Sequence, residues 1–285
     1  MSDPSATREF LGRLAVDPRD GDRFSGTCHP AWPGRAFGGQ VLAKALCAAA
    51  CTTLDDAMQP VSVHAYFHAP VAAGQAAQFE VDRVRDGRTF ATRRVSVTQD
   101  GRLLVTVMVL LGRPGEGPDH QKEAPVVPSP DVLTAEDRLI PEVILPADTD
   151  FEALGYPSDG QVDLRVIDGD ISAAGTRRPT WMRAKVDLPE DPMIGAALLC
   201  YLSDITLGTT ALEPHGGREA TTDMQLGALE LSLWFIRPAP TRDWMLFDFS
   251  SPAAGAGRAL ADGVIYDSAG EALAVAVQTS LMRRA

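Results

Sequence analysis

The chain has 285 residues, 45% of them apolar and 22% charged, with a net charge of −12. That acidity argues against a nucleic-acid-binding surface, which needs a basic patch, but leaves room for a local cationic site facing an anionic ligand. The length allows one large domain or two. No apolar run reaches about 18 residues, so no membrane span is expected. The N-terminus, Met1-Ser2-Asp3-Pro4, lacks a charged-then-apolar leader pattern. Cys28, Cys47, Cys51 and Cys200 show no metal-ligand spacing. Free thiols fit a reducing compartment, so a cytoplasmic protein is expected.

In chain order, residues 7–14 read as a weakly amphipathic helix, 23–29 as a strand and 30–34 as a loop. Gly38-Gly39 then opens a helix over 40–51, rich in alanine, which a sheet can wrap closely. Gln40 and Lys44 share one polar spot on it, four residues apart. A meander follows, with strands at 61–68, 78–85, 89–99 and 102–111, and turns at Asp86-Gly87 and Asp100-Gly101. In the first of these strands Val61, Val63, Ala65 and Phe67 fall on one face, and Ser62, His64, Tyr66 and His68 on the other. Residues 113–130 are rich in Pro, Gly and charge and read as a linker, with 114–121 expected to be disordered. Residues 131–155 give mixed signals, compatible with a short helix in the connection. Strands are expected at 163–167 and 180–186.

The order then repeats. Asp191 can cap a helix that Pro192 opens, and residues 193–202 are apolar on nearly every face, the mark of a buried helix. Asp204 falls at its expected C-terminal end, where the dipole disfavours a carboxylate. One reading makes Asp204 a solvated turn residue; the other makes it a functional carboxylate at the lip of a buried helix. Strands at 229–237, 244–250, 257–266 and 272–282 close the chain. Tyr66-Phe67-His68-Ala69-Pro70 echoes Trp234-Phe235-Ile236-Arg237-Pro238, and Gly101-Arg102-Leu103-Leu104 echoes Gly270-Glu271-Ala272-Leu273. These anchors place Phe79 opposite Phe247 and Val109 opposite Gln278, in the register of an internal duplication. Gln278 is a long amide where the other copy has valine. In a core strand such a group is either bonded to a backbone neighbour or aimed into a cleft.

Six segments, taken together, carry a family resemblance. They are Arg35 to Val41, Val63 to Phe67, Arg85 to Val95, Tyr201-Leu202-Ser203-Asp204, Trp234 to Pro238, and Val277-Gln278 before Met282-Arg283. In this order the chain resembles the bacterial type II acyl-CoA thioesterases. The resemblance implies an α+β double hot-dog fold, two fused units each with a central helix wrapped by antiparallel sheet. The units are expected at 1–112 and 159–285, joined by a linker at 113–158.

It also implies hydrolysis of acyl-CoA by a water held between an Asp, a Thr or Ser, and a Gln. The Asp matches Asp204 and the Gln matches Gln278, whereas the hydroxyl position is Ala228. A more apolar position follows at Leu231, where the family often has His. Acyl-CoA is the implied substrate, with no cofactor, no metal and a homo-oligomer, dimer or tetramer. Backbone N–H groups at Gly38, Gly39 and Gln40 are expected to face the oxyanion. His64, Arg93 and Arg94 are the remaining expected substrate contacts; the arginines read either as a cationic rim with Arg83, Arg85 and Arg88 or as ordinary solvated strand faces, and His64 equally fits a structural hydrogen-bonding histidine. Loss of the hydroxyl at Ala228 keeps a second reading open, a protein that binds acyl thioesters with little turnover. A hydratase on the same fold would need an Asp and a His a few residues apart at the helix entry, and that pair is not found.

Overall fold

In a computed structural model the described residues are 3–32, 34–53, 55, 57–133, 161–167, 176–217 and 224–284. Helix α1 (Pro4–Leu14) starts the chain, capped by the Asp3 side chain on Ser5 N–H. Short strands β1 (Asp17–Pro18), β2 (Arg23–Thr27), β3 (Pro30–Trp32) and β4 (Arg35–Ala36) lead to helix α2 (Gly38–Ala50). The expected loop at 30–34 therefore carries a small two-stranded ribbon, β3 with β4. The first meander is β5 (Gln59–Phe67), β6 (Ala76–Asp86), β7 (Phe90–Gln99) and β8 (Arg102–Gly112). The β7–β8 hairpin closes on Asp100 and Gly101, both at positive φ, the backbone of a type I′ turn. After the connection come β9 (Val162–Val166), β10 (Arg177–Ala184), helix α3 (Pro192–Thr210), and strands β11 (Met224–Phe235), β12 (Met245–Gly255), β13 (Arg258–Asp267) and β14 (Ala272–Arg284).

Twelve strands form one continuous sheet in the order β1-β2-β6-β7-β8-β5-β11-β14-β13-β12-β10-β9. Its inner face wraps α2 and α3, which also pack against each other. This is the double hot-dog arrangement. The two copies share more than element order. Strand β5 carries a bulge between Pro60 and Ser62 against β8, and β11 carries one between Ala228 and Glu230 against β14, at corresponding places. An extra residue in a strand reverses which side chains face the core beyond it. That has a consequence for Ser232. Alternation from Ala228 would turn Ser232 inward, but the bulge turns it outward, where its hydroxyl meets His64.

The seam between the copies is the antiparallel pair β5–β11, with His64 directly opposite Ser232. His64 Nδ1 lies 3.0 Å from Ser232 Oγ and Nε2 lies 3.1 Å from Ser62 Oγ. The ring meets Trp234 edge to face at 5.0 Å. Partial burial holds its pKa below the ordinary histidine value.

The described part of the connection, residues 113–133, is tied down rather than loose. Gln121 donates to Gly270 O and accepts from Ala272 N–H, and Arg237 forks onto Asp119. Trp181 Nε1 donates to Pro128 O, while Ala124, Val127 and Leu133 pack on Trp181 and its apolar neighbours. The disorder expected for 114–121 is overcome by these contacts. Only a 3-10 turn at Pro130–Val132 answers to the short helix expected in 131–155, most of which lies outside the described residues.

Helix α3 is nineteen residues long, not the dozen expected, and Asp204 lies within it rather than at its end. The continuation Ile205-Thr206-Leu207-Gly208-Thr209-Thr210 has poor helix propensity. Tertiary packing overrides it: Thr209 and Thr210 hydroxyls donate to Thr206 O, and Ile205, Leu207 and Gly208 are buried. The segment Pro192–His215 is long and apolar enough, by composition alone, to cross a membrane, but most of it is buried within the protein, as a core helix would be.

Candidate active site

Asp191 caps α3 by accepting from Met193 and Ile194 N–H, and the helix then runs apolar for three turns to Asp204. Helix α2 begins differently. Its cap residue, Phe37, offers no side-chain acceptor. The missing cap comes from the other helix, because Asp204 Oδ2 accepts the Gly39 N–H at 2.7 Å. A carboxylate at a helix N-terminus sits in the favourable end of its dipole. The field that acts on Asp204 is thus that of α2, and it is attractive, opposite in sign to the one expected from its own helix.

The approach depends on two glycines. A Cβ on Gly38 would lie 2.8 Å from Asp204 Oδ2, and one on Gly39 would lie 2.7 Å from Tyr201 O. Gln278 reaches in from β14, and its Nε2 donates to Asp204 Oδ1 at 3.1 Å. Its Oε1 is buried with no partner among the described residues. Burial pushes the Asp204 pKa up to about 6, against the opposing pull of the Gly39 and Gln278 hydrogen bonds. A group of that pKa is ionised at neutral pH yet basic enough to accept a proton.

These groups line a pocket of about 330 Å³, whose walls include Gly38, Phe67, Asp204, Ala228, Gln278 and Ser280. Asp204, Gln278 and Gly38 are thus brought together as the sequence suggests. Ala228 sits in the same wall. The Gly39 N–H is committed to Asp204, which removes it as a free oxyanion donor. Gln40 is fully buried, its Oε1 accepting the His29 N–H at 2.8 Å, and it does not line the pocket.

The remaining expected contacts lie elsewhere. His64 is at the seam on the outer face of the sheet. Arg94 is exposed and forks onto Asp82. Arg93 is only 1% exposed, among the largest buried side chains. It donates to Thr52 Oγ1, Arg85 O and Thr92 O, and pairs with Asp86. Thr52 follows the C-terminal end of α2, roughly 20 Å from the N-terminal end where Asp204 binds, by the helical rise. Arg93 is therefore a bolt between sheet and helix, not part of a cationic rim. Replacing it with alanine is expected to destabilise the protein by about 2–4 kcal/mol in urea unfolding while leaving KM unchanged, because it removes a buried side chain and four polar contacts.

Two pocket residues carried no expectation from the sequence. Arg35 is an exposed cation in the pocket wall, three residues before Gly38. Its place immediately before a glycine-opened helix was the available signal. Ser280 is the other, and only the strand register reveals it. Thr209 lines the pocket but donates to Thr206 O, and Thr210 does the same. Thr221 and Thr222 lie outside the described residues. Among the described residues, no cluster of His, Cys, Asp or Glu has the makings of a metal site.

A shift of 168 residues carries the pocket onto its mirror location in the duplicated fold, where Phe235, Ile236, Arg237 and Pro238 stand for Phe67, His68, Ala69 and Pro70. Only about 50 Å³ remains there. Pro192 lies in its wall along with Pro60 and Ala196, and no carboxylate does.

Comparison with known proteins agrees with this fold. The model for the acyl-CoA thioesterase family matches residues 147–281, and that for the acyl-CoA thioesterase N-terminal domain matches residues 28–112. Acyl-CoA thioesterase 2 of Haemophilus influenzae is 31% identical over 255 residues, covering 87% of this chain and 88% of that protein. Human acyl-coenzyme A thioesterase 8 is 27% identical, covering 95% and 87%. The crystal structure of acyl-CoA thioesterase II TesB2 from Mycobacterium marinum superposes with a TM-score of 0.81 at 27% identity, covering 97% of this chain and 98% of that one. With its two wrapped helices, its duplicated sheet and these relatives along nearly its whole length, the chain belongs to the type II acyl-CoA thioesterase family, whose members are thioester hydrolases.

Proposed function

We propose that the protein hydrolyses acyl-CoA to free acid and CoA at the Asp204–Gln278 pocket. The observation that carries this reading is a buried carboxylate of pKa about 6, anchored by the N-terminus of α2 and by Gln278 Nε2, beside an unpartnered Gln278 Oε1. Gln278 Oε1 accepts one hydrogen of the attacking water, and Asp204 takes the other as the water oxygen bonds to the thioester carbon. The positive end of α2, facing the pocket at Gly38, favours the negative charge that develops on the carbonyl oxygen. Collapse of the tetrahedral intermediate breaks the C–S bond, and the proton held by Asp204 passes to the departing sulfur. Water and thioester become acid and thiol, with no cofactor. Arg35 is the cation for the CoA phosphates, in place of Arg93 and Arg94.

The two units of this enzyme are taken as 1–112 and 159–285, with 113–158 connecting them. Tyr66 and Trp234, exposed on the outer face at the seam, support assembly into a homo-oligomer.

Purified protein incubated with acyl-CoAs from short to long chain is expected to release thiol in a standard disulfide-exchange assay. Ala228, an alanine in the pocket wall, motivates the rival reading of a binding protein. Acyl-CoA binding by calorimetry without any thiol release would replace hydrolase by binder.

A further inference from the structure

Ala228 leaves the pocket without a hydroxyl on β11, but the sheet offers one from the facing strand. Ser280 on β14 is the direct cross-strand partner of Ala228. Directly opposed residues of an antiparallel pair point to the same face, with Cβ atoms about 5 Å apart. Both residues line the pocket. Ser280 also stands two residues after Gln278, so the two side chains share the inward row of β14. At the corresponding inward positions of β8 the other copy has Val109 and Leu111, both buried and apolar. The two rows differ in polarity at the two positions that face the pocket.

Helix α3 fixes how close these groups come. A Cβ on Gly208, one turn beyond Asp204, would lie 3.4 Å from Gln278 Nε2, Gln278 Oε1 and Ser280 Oγ alike. The amide and the hydroxyl therefore border one small volume beneath the helix. Ser280 is 2% exposed, yet its Oγ makes no hydrogen bond to the described protein. Burying the Gln278 oxygen without a partner among the described residues is costly. A water there meets that oxygen and the pocket-facing Ser280 hydroxyl together.

We propose that Ser280 Oγ is the third ligand of the attacking water, supplying from β14 the hydroxyl that Ala228 withholds on β11. The inference rests on the thioesterase reading of the Asp204–Gln278 pocket. Its effect is to orient a lone pair of that water toward the thioester carbon while Asp204 and Gln278 take its hydrogens. With both hydrogens of the water held by Asp204 and Gln278, the serine hydroxyl donates to the water oxygen and no donor is left unmatched.

The test combines kinetics with a crystal structure. Ser280→Ala is expected to lower kcat for acyl-CoA about 10–100-fold, by analogy with loss of one positioned donor, with KM within about twofold. Ala228→Thr in the Ser280→Ala background is expected to recover about tenfold or more, because the hydroxyl re-enters the same volume from across the strand pair. A high-resolution structure of the unaltered protein is expected to hold an ordered water bonded to Ser280 Oγ and Gln278 Oε1, and Ser280→Ala to lose it. A folded Ser280→Ala protein with unchanged kcat overturns the proposal, as does a loss that Ala228→Thr does not repair. If the unaltered protein releases no thiol from any acyl-CoA, the thioesterase reading fails by itself. The crystallographic water then decides whether Ser280 holds a water at all.

Discussion

Replacing Asp204 with asparagine is expected to lower acyl-CoA hydrolysis about 10³-fold, the span assigned to a positioned general base, and at the same time to raise thermal stability at pH 8. Both effects come from the same burial. The carboxyl has a folded-state pKa of about 6, above its unfolded value near 3.8. A group shifted in that direction contributes stability that is present below pH 4 and is lost as pH rises through 6. The ionised carboxylate at pH 8 is therefore a standing cost. Asparagine keeps an acceptor for the Gly39 N–H, and Gln278 can turn its amide so that Oε1 accepts from the new NH2. Melting curves at pH 4 and pH 8 should differ between the two proteins only at the higher pH. The rate of the unaltered enzyme should fall below pH 6 as Asp204 takes up a proton. An activity that stays flat from pH 8 to 5 would remove Asp204 from the role of base.

Gly39→Ala is expected to be severely damaging at the crossing of α2 and α3. Its Cβ would meet Tyr201 O at 2.7 Å and both Cys200 O and Asp204 Cβ at 2.9 Å. Two of these are backbone atoms of α3 and cannot swing aside, so the helices must separate. Overpacking of this kind costs about 3 kcal/mol, which lowers the melting temperature by roughly 5–10 °C. The bond from Gly39 N–H to Asp204 lengthens with it, so hydrolysis falls even in the protein that remains folded. Gly12→Ala is the matched control. Gly12 lies in α1 with nothing within 4 Å of the added atom, and the change there should stabilise by up to about 1 kcal/mol. Equal melting temperatures for Gly39→Ala and the unaltered protein would show that α2 and α3 do not cross as tightly as described.

Much of this was legible in the chain because duplication left the same signals twice. Alternation located the meanders, and the contrast between Val109 and Gln278 pointed to the copy that holds the amide. The sequence failed where geometry depended on a partner far along the chain. Residues 205–210 are poor helix formers, so α3 ended too early on paper and Asp204 stood at the wrong end of the wrong dipole. Packing against the sheet, including β14 at Gly208, extends it. Ser232 had the right parity with Ala228 until one bulged residue reversed the face. Arg93 looked like one of a cluster of surface cations, yet it is the one of them that meets the end of α2. Ser280 was invisible because its significance lies in a pairing between strands 52 positions apart in the numbering, Ala228 with Ser280.

The shrunken mirror pocket beside Pro192 gives the molecule a division of labour. Two equal halves could have made two equal catalysts, one at each end of the crossed helices. Here the mirror location is narrowed by Pro60, Pro192, Ala196 and Ala239 and has no carboxylate among its described lining residues, while the first half still lends the opening turn of α2 to its neighbour. On the proposed function, each chain thus carries one working pocket among the described residues, with the other half as scaffold. Drift can reshape the scaffold half so long as that turn is kept, and tight-binding inhibitors should count one site per polypeptide, however many copies assemble.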